Sequence, residues 1–130
     1  MPTAREPLMK NALVVDDNDV NRILASRLLT KAGWTVSDVD CGEAALSFLA
    51  ANTVSLILLD VSMPTMSGQE VCRRVRAESL GGPMVKIAAY TAHAMPEEVQ
   101  EFLDGGFDTV LLKPMSRDRL NATLSELGFE

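Results

Sequence analysis

Val54-Ser-Leu-Ile-Leu-Leu-Asp60 is the stretch of sequence that decides the fold. A short apolar run that ends in an acid is typical of a strand buried on both faces of a parallel sheet, with a polar group at its carboxyl end. Three more runs end in the same way, before Asp16 and Asp17, before Thr91, and before Lys113. Ligands of open parallel sheets bind beyond the carboxyl ends of the strands. The three carboxylates, the hydroxyl and the ammonium are therefore expected to converge on one site.

Strand-like and helix-like segments alternate along the chain, which predicts βαβ units and a parallel sheet. Residues 1–10 are expected to form a flexible tail, and residues 11–130 a single domain. Right-handed crossovers then give an α/β fold, a flavodoxin-like doubly wound sandwich whose five parallel strands follow the order 2-1-3-4-5 with helices on both faces. The predicted strands cover residues 11–16, 34–39, 55–60, 84–90 and 109–112. The predicted helices cover residues 18–32, 42–51, 68–79, 96–104 and 116–127.

Composition excludes several classes of protein. The 130 residues are 47% hydrophobic, which is enough for an ordinary core. The net charge of −6 argues against direct binding to nucleic acid, because a phosphate backbone demands a basic surface. No apolar run reaches the roughly 18 residues of a membrane span, and the first ten residues lack the apolar segment of a signal peptide. Cys41 and Cys72 are too isolated for a disulfide framework or a zinc site. We therefore expect a cytoplasmic protein.

The cluster of carboxylates predicts a site for a divalent cation, since uncompensated carboxylates repel one another. Mg²⁺, or Mn²⁺ in its place, prefers carboxylate oxygens and keeps positions open for phosphate oxygens. Asp17 and Asp60 are the expected direct ligands, with Asp16 holding a coordinated water. A carboxylate beside an ammonium, here Asp60 beside Lys113, is also able to attack phosphorus. Each residue alone is an ordinary helix cap, turn residue or surface lysine, and only their position at four neighbouring strand ends indicates a site.

The chain resembles the receiver domains of two-component response regulators, the CheY-like domains, over residues 11 to about 127. Two segments, Asp17-Asn-Asp-Val-Asn-Arg22 and Thr91-Ala-His-Ala-Met95, most resemble the receivers of hybrid histidine kinases. The motifs that carry the resemblance are Val15-Asp16-Asp17-Asn18, Leu59-Asp60-Val61-Ser62-Met63-Pro64 with Met66-Ser67-Gly68, Thr91-Ala92, and Lys113-Pro114.

By this resemblance, Asp60 accepts a phosphoryl group from a histidine kinase or a histidine phosphotransfer protein. Thr91 would hydrogen-bond the phosphoryl group, and Lys113, with a cis peptide bond to Pro114, would pair with it. The residues that the resemblance implies as metal ligands are Asp16, Asp17, Asp60 and the backbone carbonyl of Ser62.

The family couples phosphorylation to a surface formed by helix 4, strand 5 and helix 5 through an aromatic residue three positions before the lysine. Val110 occupies that position here. Tyr90 cannot replace the aromatic residue, because it adjoins Thr91 in strand 4 and neighbouring strand residues point to opposite faces. We therefore expect phosphorylation with a muted switch. A weak homodimer through the same surface stays open.

Helix 1 carries an apolar arc that should face the sheet, formed by Leu24, Ala25, Leu28, Leu29 and Ala32. Val20 and Ile23 fall outside this arc. They are either scattered surface residues, which are common, or a docking patch for a phosphodonor built as a helical bundle.

Three interpretations of function follow. The leading one is a signalling module that is no enzyme beyond catalysing its own phosphorylation and dephosphorylation. The second is a pseudo-receiver that serves only as a protein-binding scaffold, an interpretation that Val110 leaves open. The third is a metal-dependent phosphatase or phosphotransferase that uses an aspartyl phosphate. Against the third, Ser62 stands where such enzymes carry an acid, and no insertion is long enough for a cap.

Overall fold

The computed structural model describes residues 10–129 and has the predicted architecture. Five parallel strands lie in the order β2-β1-β3-β4-β5, and each boundary lies within two residues of its predicted position. Residues 1–9 of the expected tail lie outside the described residues, whereas the Lys10 carbonyl accepts a hydrogen bond from the Thr35 amide at 2.8 Å. The elements are β1 (Asn11–Val15), α1 (Asp19–Lys31), β2 (Thr35–Val39), α2 (Gly42–Ala51), β3 (Leu56–Asp60), α3 (Gly68–Glu78), β4 (Lys86–Thr91), α4 (Pro96–Asp104), β5 (Thr109–Leu112) and α5 (Arg117–Glu126).

β3 is the centre of the sheet. All five of its residues are buried, as expected of a strand covered on both faces. Its register aligns Leu59 with Val15 of β1 and Asp60 with Tyr90 of β4. This register brings the carboxyl ends of three central strands to one edge of the sheet, where the polar residues lie.

Helices cover both faces of the sheet, as predicted. The core on one face joins β-strand residues to α2, α3 and α4, with Ala45, Val71 and Phe102 among its members. The core on the other face joins the sheet to α1 and α5, with Leu29 and Leu120 among its members. The predicted arc of α1 faces this second core, since Ala25 and Leu29 are fully buried and Leu24, Leu28 and Ala32 half-buried.

Polar caps begin the helices beside the site. The Asn18 side chain accepts the Asn21 amide at the start of α1, and the Ser67 hydroxyl accepts the Glu70 amide at the start of α3. Thr91, predicted to follow strand 4, is instead its last residue. None of the helices within residues 10–129 is long and apolar enough to span a membrane.

Gly68 marks the tightest approach between a helix and the end of a strand. A Cβ atom at this position would lie 2.3 Å from the Asp60 carbonyl oxygen and 2.8 Å from the Val61 Cα. Both neighbours are backbone atoms, which cannot move aside as a flexible side chain does. A glycine is therefore required where α3 begins against the end of β3.

Gly68→Ala is accordingly expected to lower the free energy of unfolding by about 2–3 kcal/mol, the upper part of the range for an overpacked core. Urea denaturation measures the change. The matched control is Gly105→Ala, at a helix end with an ordinary φ of −83°, which should cost less than about 1 kcal/mol. Equal costs at the two glycines would contradict the steric argument.

Candidate functional site

The structure brings the three predicted acids and the predicted lysine together at the carboxyl edge of the sheet. Carboxylate oxygens of Asp16, Asp17 and Asp60 lie within 4.8 Å of one another. The Lys113 Nζ lies 3.3 Å from Asp16 Oδ2 and 3.3 Å from Asp60 Oδ1. One ammonium therefore bridges the ends of β1 and β3, and the cluster keeps an excess of negative charge.

Backbone amides orient two of the acids. Asp16 is fully buried, and its Oδ1 accepts the Asn18 amide at 2.9 Å. Asp60 is 2% exposed, and its Oδ1 accepts the Ser62 amide at 3.0 Å. These short loops hold the carboxylates at the strand ends. The backbone of Ser62 thus lies beside Asp60, while the metal-binding role of its carbonyl stays a prediction.

Burial and mutual repulsion make the charged form of the acids costly. Burial is the main cause that raises the pKa of Asp16, and the charge of Asp60 adds to it. The pKa of Asp17 is also raised. Partial desolvation is the larger cause, and the neighbouring Asp60 carboxylate adds to it. A positive ion in the cluster would remove this penalty.

The residues fit a hard divalent cation. Asp16 Oδ2 is buried and makes no hydrogen bond of regular geometry within residues 10–129, and the Lys113 ammonium, 3.3 Å away, is shared with Asp60, so the negative charge of the cluster is only partly compensated. The donor set consists of carboxylate oxygens, which Mg²⁺ prefers. The acidic cluster is therefore chemically suited to Mg²⁺, and Asp16, Asp17 and Asp60 are the groups that would hold the ion.

Thr91 lies at the same edge but is engaged in its own loop. Its hydroxyl donates to the His93 carbonyl oxygen at 3.1 Å. The side chain of Thr91 is buried, whereas His93 is exposed. The hydroxyl is thus the one predicted site group whose observed partner belongs to the loop leading into α4.

Arg22 supports the site, a role that the sequence reasoning missed. Its guanidinium donates to the Asp16 carbonyl oxygen at 2.9 Å and to Asp19 Oδ1 at 2.6 Å, and its Nε lies 3.3 Å from Asp38 Oδ1. These contacts tie the loop that carries the acidic pair to α1 and β2. The spacing of Asp19 and Arg22, three residues apart on a helix, was the available sequence signal.

The two residues of the predicted docking patch are strongly exposed. Val20 is 74% exposed and Ile23 is 50% exposed, both on α1. Since α1 begins directly after the acidic loop, this patch lies beside the site. Its use by a partner stays a prediction.

Known proteins provide independent information. The family model described as "Response regulator receiver domain" matches residues 12–125. Sensor histidine kinase RcsC of Salmonella typhi is 38% identical over 113 residues, which cover 87% of this chain and 12% of that protein. The two-component response regulator ORR41 of Oryza sativa subsp. japonica is 33% identical over 122 residues, which cover 91% of this chain and 94% of that protein.

The fold of this chain is also similar to that of solved response regulators. The chemotaxis response regulator CheY4 of Vibrio cholerae has a TM-score of 0.84 and 32% identity, covering 92% of this chain and 98% of that one. This chain spans only about an eighth of the length of the sensor kinases that it matches, at 12%. The similarity to those kinases therefore concerns one segment of each, and it does not extend to the activities of the whole kinases.

Asp17→Asn is expected to raise the free energy of unfolding at pH 7 without divalent cations, by up to about 1 kcal/mol, since exposed charges are screened. A folded-state pKa above the ordinary value of 3.8 means that Asp17 contributes stability below pH 3.8 and loses it as the pH rises through the folded pKa. The gain from Asn should therefore be present at pH 7 and shrink at pH 3.

Urea unfolding at both pH values tests this expectation. Asp118→Asn serves as the control, because it removes the same charge from the first turn of α5, where a carboxylate is favourable. The two substitutions should differ in sign at pH 7. A loss of stability in Asp17→Asn at pH 7 would contradict the repulsion argument.

Proposed function

Since the chain belongs to the response regulator receiver domain family, a family of signalling domains, we propose that Asp60 is its phosphoryl acceptor. Receiver domains accept phosphoryl groups from histidine kinases or phosphotransfer proteins, and the family generally uses Mg²⁺. The observation that carries the proposal is the position of Lys113, whose Nζ is 3.3 Å from Asp60 Oδ1 at the mouth of an acidic cluster. An ammonium at this distance is able to pair with a phosphoryl group bound to that carboxylate.

In the proposed transfer, a carboxylate oxygen of Asp60 attacks the phosphorus of a donor phosphohistidine. A P–O bond forms while the P–N bond breaks, and the electron pair of that bond returns to the donor imidazole. Mg²⁺ held by Asp16, Asp17, Asp60 and the Ser62 carbonyl would supply positive charge to the phosphoryl oxygens. Lys113 pairs with the same oxygens as they arrive and leaves its contact with Asp60.

Thr91 would couple the new charge to the surface. Its hydroxyl donates to the His93 carbonyl in the present structure. A phosphoryl group on Asp60 offers stronger acceptor oxygens, so the hydroxyl would turn toward them and release the loop before α4. The proposed output is altered partner binding at α4, β5 and α5, with the domain acting through binding rather than through turnover of a separate substrate.

Val110 supports a muted form of this switch. It lies half-buried in a groove of about 350 Å³ between α4 and β5, lined in part by Val99, Leu103 and Leu112. An aliphatic side chain of this size offers no large ring that could move between a buried and an exposed position. A smaller rearrangement of the surface is therefore proposed than an aromatic residue would give.

The proposed phosphodonor docks on Val20 and Ile23. Their exposure leaves apolar area beside the acidic loop, and a helical phosphotransfer protein would cover it while presenting its phosphohistidine to Asp60. Apolar side chains ringed by polar ones suit such an interface.

Phosphorylation is tested by intact mass after incubation with Mg²⁺ and acetyl phosphate. The wild-type chain is expected to gain one phosphoryl group, and Asp60→Asn none, because an amide cannot serve as the nucleophile. Removal of Mg²⁺ with a chelator should abolish the adduct. An equal adduct on both chains would show that another residue is the acceptor, and no adduct together with no beryllofluoride binding would favour a scaffold.

Ile23→Glu tests the docking patch. Transfer from a phosphorylated phosphotransfer protein should slow by about tenfold or more, the cost of one central apolar contact, while labelling by acetyl phosphate stays unchanged. Met84→Glu is the matched control, since Met84 is an equally apolar, 79% exposed residue in the loop between α3 and β4. Equal slowing with both donors would refute a docking role.

A further inference from the structure

Tyr90 is the only tyrosine of the chain, and it is fully buried on β4 directly before Thr91. It faces the core formed with α1 and α5, whereas Val110 packs against the opposite core. This placement agrees with the expectation that Tyr90 does not replace the missing aromatic residue of the switch. We propose that Tyr90 is instead a positioning residue for Lys113, a proposal that rests on the proposed role of Lys113 in phosphoryl transfer.

The ring of Tyr90 lies beneath the ammonium. Lys113 Nζ is 5.0 Å from the ring centroid, within the range of a cation–π interaction. The same nitrogen is 3.3 Å from both Asp16 Oδ2 and Asp60 Oδ1. The ammonium is thus held between two carboxylates and one aromatic face, in a side chain that is only 17% exposed.

The hydroxyl of Tyr90 holds the chain that carries the lysine. It accepts the Met115 amide at 3.3 Å in a buried hydrogen bond. Just before it, the Lys113 amide donates to the Thr91 carbonyl at 2.7 Å. The connection from β5 to α5 is therefore fastened to the end of β4 on both sides of Pro114. The Tyr90 side chain contacts this segment twice, at the Met115 amide through its hydroxyl and at the Lys113 ammonium through its ring.

The aromatic contact differs from the carboxylate contacts in what happens to it during the reaction. Asp60 would change its charge and its partners on phosphorylation, and a cation held by Asp16 would weaken the contact of Lys113 with that carboxylate. The ring stays in place through these changes. It also holds the ammonium without neutralising it, so the full charge remains available to the incoming phosphoryl oxygens. A long, flexible lysine gains most from such preorganisation.

Two substitutions separate the ring from the hydroxyl. Tyr90→Leu removes the ring and is expected to slow labelling by acetyl phosphate about fivefold, the scale of one cation–π contact. Tyr90→Phe keeps the ring and loses only the hydrogen bond to the Met115 amide, so it should slow labelling less than Tyr90→Leu does. The Phe variant should nevertheless melt at a lower temperature, because the buried Met115 amide loses its acceptor. Tyr90→Met is the substitute for the Leu variant should the latter fail to fold.

A double-mutant cycle with Lys113→Met distinguishes positioning from general support of the fold. If Tyr90 acts through Lys113, then Tyr90→Leu should cause no further slowing in the Lys113→Met background. The upfield ring-current shift of the Lys113 side-chain protons should also disappear in Tyr90→Leu and persist in Tyr90→Phe. The chain contains four lysines, so these resonances are readily assigned.

Four results would each refute either the positioning role of Tyr90 or the proposed function of the site. Wild-type labelling together with an undiminished rate in Tyr90→Leu would refute the positioning role alone. The same slowing by Tyr90→Leu with and without Lys113 would also refute it, since the effect would then not pass through the lysine. Absence of labelling on the wild-type chain, or an unchanged rate in Lys113→Met, would instead refute the proposed function of the site.

Discussion

The charge balance around Lys113 is the constraint on which the rest of this structure depends. Asp16 directly follows β1 and Asp60 ends the adjacent β3, and neither is exposed enough for water to solvate its charge fully. A single ammonium, 3.3 Å from each, compensates part of that charge. Removing one member of such a buried group costs far more than its net contribution to stability. The buried acids therefore lower the stability of the fold, at the positions where we propose a phosphoryl acceptor and a cation site.

The buried apolar strands supply the stability that keeps the charged groups of the site in place. β3 is buried along its whole length, so the position of Asp60 follows from the packing of two cores rather than from a mobile loop. Gly68 lets the first residue of α3 pack directly against the backbone at the end of β3. Around this framework, Arg22 fastens the acidic loop from outside and Tyr90 supports the lysine from below. The acidic loop and the ammonium are thus each held by a side chain outside the acidic cluster.

Much of this could be predicted before the structure was known, for specific reasons. Apolar runs followed by polar residues revealed the strands and their carboxyl ends, and the alternation with helices implied a parallel sheet with the order that is observed. The roles of Arg22 and Tyr90 were not predicted. An arginine on a helix reads as a surface residue, and a tyrosine in a strand reads as core, unless their partners from β2 and from the loop after β5 are known.

The sequence by itself determined the fold class, the strand order and the residues that meet at the carboxyl edge, because these follow from local periodicity and from the few ways in which βα units can connect. The tertiary structure alone decided which atoms are paired. It engaged the Thr91 hydroxyl with His93, placed Asp16 Oδ2 beside the Lys113 ammonium, and laid that ammonium over the ring of Tyr90. The contacts of Lys113 join residues far apart in the chain, and they depend on strand register and side-chain direction, which no local pattern encodes.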